Sequence, residues 1–155
     1  MLNKYIFALL ILLNVGCSQK EISEDEKQLN MYFAEKQKIN LADYKNYVVV
    51  VISGNCGSCT EKTIKFINRM GDPKNEKFKG IKKIVIVPDN NASVLDSMKN
   101  KSIQFIVDKG YEMQKYGVNF AKNTFFEFHD GTLVYQDVLY LENIDKIAKK
   151  YNLIL

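Results

Sequence analysis

The chain has 155 residues, the length of one domain on the usual scale of ~100–200 residues per domain. With 46% hydrophobic, 26% charged and 12% aromatic residues, and only 8 Gly and 2 Pro, it is neither collagenous, low-complexity nor wholly disordered. Its charge of +4 includes a single arginine, Arg69, which makes a nucleic-acid surface a poor expectation, and its longest apolar run, Ile6–Leu13, is well short of the ~18–20 residues that span a bilayer.

The N-terminus reads as an address. Lys4 precedes the apolar run, small Gly16 follows it, and Cys17 comes next, the layout of a secretory signal over residues 1–16. Gly16-Cys17 resembles the lipobox of bacterial lipoproteins, although Asn14 stands where that pattern prefers Leu. The resemblance implies lipidation at Cys17 and a membrane held through the lipid. With Ser18 next, it implies a periplasm-facing site in the cell envelope, at the outer membrane. The alternative is a plain soluble secretory signal. Residues 17–40 read as a polar tether followed by a short helix over about 24–37. Ser23 and Glu26 have capping-box spacing there, and Leu29, Tyr32 and Phe33 recur at helical intervals. Residues 41–155 form the folded domain.

Tyr47–Ile52 is a β-branched run that predicts a strand buried on both faces. It breaks at Ser53-Gly54-Asn55, and Cys56-Gly57-Ser58-Cys59 opens a helix that Gly71-Asp72-Pro73 ends, with Ile64, Ile67 and Met70 on its inner side. With Cys17 taken by lipid, the three cysteines leave Cys56 and Cys59 as a pair. A bridge across two residues closes too small a loop to stabilise much. At a helix N-terminus, however, unpaired amides and the helix dipole favour a thiolate at Cys56, with Cys59 one turn on. The readings are a redox pair, an inert local disulfide, and metal binding. Two thiolates supply only half of a structural zinc site.

Further along, Ile81–Val87 predicts a strand ending at Pro88, Asn91–Asn100 a helix and Ile103–Val107 a strand. Thr124–Phe128 and Thr132–Tyr140 form a hairpin about Asp130-Gly131. Leu141, Ile144, Ile147 and Tyr151 mark a closing helix. Strand, CxxC, helix and this order of elements resemble the thioredoxin superfamily, particularly its membrane-anchored periplasmic thiol–disulfide oxidoreductases.

The resemblance implies an α/β, three-layer fold whose central mixed sheet has helices on both faces. It implies catalysis by Cys56 and Cys59, joined as a reversible disulfide, with no cofactor or metal. The partners it implies are cysteine-bearing client proteins and a redox partner, not nucleic acid. Four residues depart from the family: Asn55 replaces its usual Trp, Ser58 its Pro within the motif, Val50 its buried acid, and Asn123 its cis-proline. A cis bond before Asn123 would cost ~2.5–4 kcal/mol, so a trans bond is expected. Asn123 and Thr124 are the candidate substrate loop, and Glu127 is a candidate proton acceptor for Cys59, against the alternative of a Glu at the sheet margin. His129 reads as a turn residue. Lys62, Lys65, Lys82 and Lys83 read as solvated faces, with Lys62 a candidate aid to the thiolate. A peroxidase reading is weak, because Arg69 lies far along the helix. The rival class is a non-catalytic binding module of the same fold.

Overall fold

The computed structural model describes residues 22–53, 57–98, 100–118 and 121–155, with backbone alone at 57–60. Helix α1 (Glu24–Met31) starts where the capping spacing places it, Ser23 Oγ accepting from Glu26 N at 3.2 Å. The helix continues as a π-helical segment, Tyr32–Gln37. Within α1, Glu26 does not face solvent. That side chain turns inward and its carboxylate accepts from Leu133 N at 3.1 Å. Leu29, Tyr32 and Phe33 are fully buried, so this segment packs into the core below the sheet.

Strands β1 (Asn46–Val51), β2 (Lys82–Pro88), β3 (Gln104–Asp108), β4 (Thr124–His129) and β5 (Thr132–Val138) form one sheet in the order β3-β2-β1-β4-β5. The first three run parallel, and β4 and β5 run antiparallel to their neighbours. Strand β1 lies at the centre, and Tyr47–Ile52 are buried on both faces as the unbroken β-branched run requires. Alternation divides it: Val48, Val50 and Ile52 face helices α2 (Gly57–Met70) and α4 (Leu141–Lys150), while Tyr47, Val49 and Val51 face α1 and the short α3 (Glu112–Lys115). This is the expected mixed sheet with helices on both faces.

The β4–β5 hairpin turns on Asp130 (φ 48°) and Gly131 (φ 75°), the left-handed pair that a tight two-residue turn demands. Gly71 is needed for a different reason, because a Cβ there would overlap the side chain of Asn100. The helix expected over 91–100 is instead a 3-10 segment, Asp89–Ser97, with no residue buried. Its sequence offers no continuous apolar stripe to hold an α-helix on the sheet. Leu141, expected inward, is 47% exposed at the first position of α4. Among the described residues, no helix is long and apolar enough to cross a membrane.

Candidate functional site

The CxxC segment joins the C-terminal end of β1 to the N-terminus of α2. Cys17 and Cys56 lie outside the described residues, as does the side chain of Cys59, whose backbone falls in the first turn of α2. What the structure defines is the frame on either side. Register pairs Val51 with Thr124, which brings Asn123 level with the chain leaving β1. Asn123 is 3% exposed, and its side chain bridges the chain leaving β1 to helix α2. Its Oδ1 accepts from Ser53 N at 2.9 Å and from Ser53 Oγ at 3.3 Å, and its Nδ2 donates to Thr63 Oγ1 at 3.0 Å. Ser53 stands three residues before Cys56, and Thr63 stands four after Cys59. Leu139 N donates to the Asn123 carbonyl at 2.7 Å, fixing that residue from β5's side as well.

Among the described residues no peptide bond is cis, so Asn123 follows a trans bond as expected. Asn123 and Thr124, the candidate substrate loop, are both buried and present little side chain to the surface. Beside the same strand ends lies a cavity of about 340 Å³ reaching from Ser53 to Asp108. Asp108 forms its charged wall. This buried carboxylate accepts from Tyr32 Oη at 3.1 Å and from Met113 N at 3.2 Å, while burial pushes its carboxyl above the usual range. Tyr111, 43% exposed on the rim, is held at φ 54°, a left-handed conformation uncommon for a large side chain.

Glu127 is not brought to this end. It pairs with Val48, three residues back along β1 from the Val51–Thr124 pair, or roughly 10 Å of strand. Its carboxylate accepts from Tyr151 Oη at 2.6 Å and pairs with Lys150 at 2.8 Å. The geometry therefore matches the sheet-margin alternative. Lys62 is likewise engaged elsewhere, donating to Asp145 at 2.7 Å and to the Leu141 carbonyl at 3.2 Å, which ties α2 to α4. His129 sits at the hairpin turn, mostly exposed, with Nδ1 2.9 Å from Asp130. Lys83 departs from its expected solvated face. It shares parity with Val85 and Val87, is 8% exposed and donates to the Ile81 carbonyl, and burial pushes its ammonium down.

The Asn123 bridge is the feature that residue-by-residue reading missed. One signal was present: Thr63 lies on the apolar stripe of α2 with Ile67 and Met70, and a buried hydroxyl there requires a partner.

Strand order, the crossover helix between parallel β1 and β2, and the antiparallel hairpin define a thioredoxin-like protein. The family model described as Redoxin matches residues 23–152, and the chain belongs to that family. Its function is in general terms a thioredoxin-type redox one. A search of the curated proteins finds no match. Among solved structures, the chain is similar to a peroxiredoxin-like protein from Aquifex aeolicus at 15% identity and a TM-score of 0.43, over 68% of this chain and 71% of that one.

Proposed function

We infer that this protein exchanges thiols and disulfides on extracytoplasmic client proteins through Cys56 and Cys59. The observation that carries the reading is the position of the CxxC motif in a Redoxin-family chain, between the central strand and the N-terminus of a 14-residue helix. The Cys56 thiolate attacks one sulfur of a client disulfide, forming a mixed disulfide and releasing the other client sulfur as a thiolate. Cys59, deprotonated, then attacks the Cys56 sulfur. The client leaves reduced by two electrons, and the pair is left as the Cys56–Cys59 disulfide. A separate redox partner must return it to the dithiol, and the reverse sequence oxidises a client.

The assay is insulin reduction by the purified protein with dithiothreitol as electron source. Cys56→Ser is expected to lose the catalysed rate, and Cys59→Ser to accumulate clients as mixed disulfides on Cys56. Equal slow rates for wild type and Cys56→Ser would favour the second reading, a non-catalytic binding module, which Asn123 in place of the family's proline supports. Glu127→Gln is expected to leave the rate within about twofold, while weakening the charge-assisted bond to Tyr151 by ~1–2 kcal/mol in a urea titration. A tenfold loss of rate would return Glu127 to the proton-transfer machinery.

The lipid anchor at Cys17 belongs to the same reading. Each buried acyl CH₂ contributes ~0.8 kcal/mol, so several chains on one cysteine hold a small domain at a membrane. Intact-mass measurement of the cell-derived protein is expected to show acylation at Cys17 and none in Cys17→Ser; an unmodified Cys17 in the wild type would remove the anchor.

A further inference from the structure

We propose that Asn123 is the positioning residue of the dithiol pair, a carboxamide brace that fixes the two chain segments flanking Cys56 and Cys59 against each other. The proposal rests on the CxxC reading and deepens it. Three observations carry it. The carboxamide is 3% exposed and uses both its acceptor and its donor, towards partners 70 and 60 residues away in the sequence. Those partners are Ser53, on the entry side of the CxxC segment, and Thr63, on the exit side in α2. The residue is itself anchored, by β4 pairing at Thr124 and by the Leu139 N bond to its carbonyl.

A short loop entering a helix N-terminus holds a thiolate only while the helix amides stay aimed at it, because the dipole effect fades within the first turn. The Asn123 brace ties the loop's last described residue before the motif to the helix one turn beyond it. The Thr63 bond is fully buried and the Ser53 bonds are half-buried, so a shift of either segment leaves the buried Asn123 carboxamide short of a partner, a penalty of ~1–3 kcal/mol. Oδ1 accepts from the Ser53 amide and hydroxyl, and Nδ2 donates to the hydroxyl oxygen of Thr63. Asparagine offers an acceptor and a donor at this reach, whereas alanine and aspartate at the same position do not offer both.

The test uses the purified protein and three variants: Asn123→Ala, Thr63→Val and the double variant. Thr63→Val keeps the shape of the buried side chain, and Ser53→Ala serves as a milder fourth variant should Asn123→Ala fail to fold. The readouts are thiolate absorbance against pH for Cys56 and the equilibrium of the pair with glutathione. Loosening the brace withdraws thiolate stabilisation, so the Cys56 titration is expected to move upward, toward the ordinary thiol value of about 8.5. With the reduced form less stabilised, the equilibrium is expected to shift about tenfold toward the disulfide, or about 30 mV to more negative potential. The double variant is expected to shift no further than Asn123→Ala, since both changes break one linkage.

Variants that fold and lose urea stability, but titrate and equilibrate as wild type, would make the brace merely structural and overturn the proposal. A wild type that forms no reversible Cys56–Cys59 disulfide would overturn the CxxC reading and the proposal together. The wild-type measurement thus separates the two failures.

Discussion

Titrated upward from about pH 9, the protein is expected to unfold in one steep transition above pH ~10, with phenolate absorbance rising together with the loss of helical circular dichroism. Burial is the main cause in each of three tyrosines, pushing the hydroxyl well above its ordinary value of 10.0: Tyr32, with Asp108 adding to it, Tyr47, with Glu26, and Tyr151, with Glu127. Tyr135 is pushed up to about 12 for the same first reason. The sign follows from linkage. An unfolded chain releases these protons near 10, the folded one only at higher pH, so the stability is intact below pH 10 and falls as pH rises through it. Each buried tyrosine then costs about 1.4 kcal/mol per pH unit, and three cost about 4. Domains of this size hold only about 5–15 kcal/mol in total. Tyr47→Phe sharpens the test: its Oη is buried without a hydrogen-bond partner among the described residues, so the variant is expected to be at least as stable as wild type at neutral pH and to show a shallower alkaline slope. Smooth phenolate titration near pH 10 with the fold intact would contradict this account.

Phe125→Ala is expected to cost about 3–5 kcal/mol, and to lower the thermal midpoint by roughly 10 °C or more. Phe125 is fully buried on β4, where it meets Phe66 of α2 edge-on at 5.7 Å and Tyr151 at 5.5 Å just past α4. Removing the ring therefore opens a void where the sheet and both helices of that layer converge, and close packing leaves it little room to collapse. Val134→Ala, on a 53% exposed side chain of β5, is the control and is expected to change stability by less than about 0.5 kcal/mol. Urea midpoints measure both, and a Phe125→Ala loss below about 1 kcal/mol would show that the core repacks around the gap.

The elements most legible in the sequence were those fixed by short-range pattern. The unbroken β-branched run gave the central strand, Asp130-Gly131 the hairpin, and the spacing of Ile144, Ile147 and Tyr151 the closing helix, because each signal is local. Pairing register is not local, and it decided what became of Glu127. Nothing within Thr124–Phe128 says that Glu127 will face Val48, three residues back along β1 from its C-terminal end, and meet Tyr151 of the C-terminal segment. Lys83 was hidden for a similar reason: in Lys82-Lys83 both residues look solvated until β2 is paired on both sides. The candidate site divides the same way. The CxxC spacing and its strand–helix setting are visible in a few residues, but the bridge from Asn123 joins Ser53 to Thr63 through contacts that span the chain.

The inward turn of Glu26 also bears on how molecules of this protein behave when crowded together. Among the described residues strand β5 pairs with β4 alone, so its other side is a sheet edge of the kind on which a second chain can template its own strand. The Glu26 carboxylate occupies the Leu133 amide on β5, and the neighbouring Asp25 accepts from the Gln136 side chain at 2.6 Å. The first turn of α1 thus lies across that margin as a guard, with negative charge over the backbone that an incoming strand would need. The same segment that buries Leu29, Tyr32 and Phe33 beneath the sheet thus also shields a backbone edge, one piece of chain serving the core and the margin together.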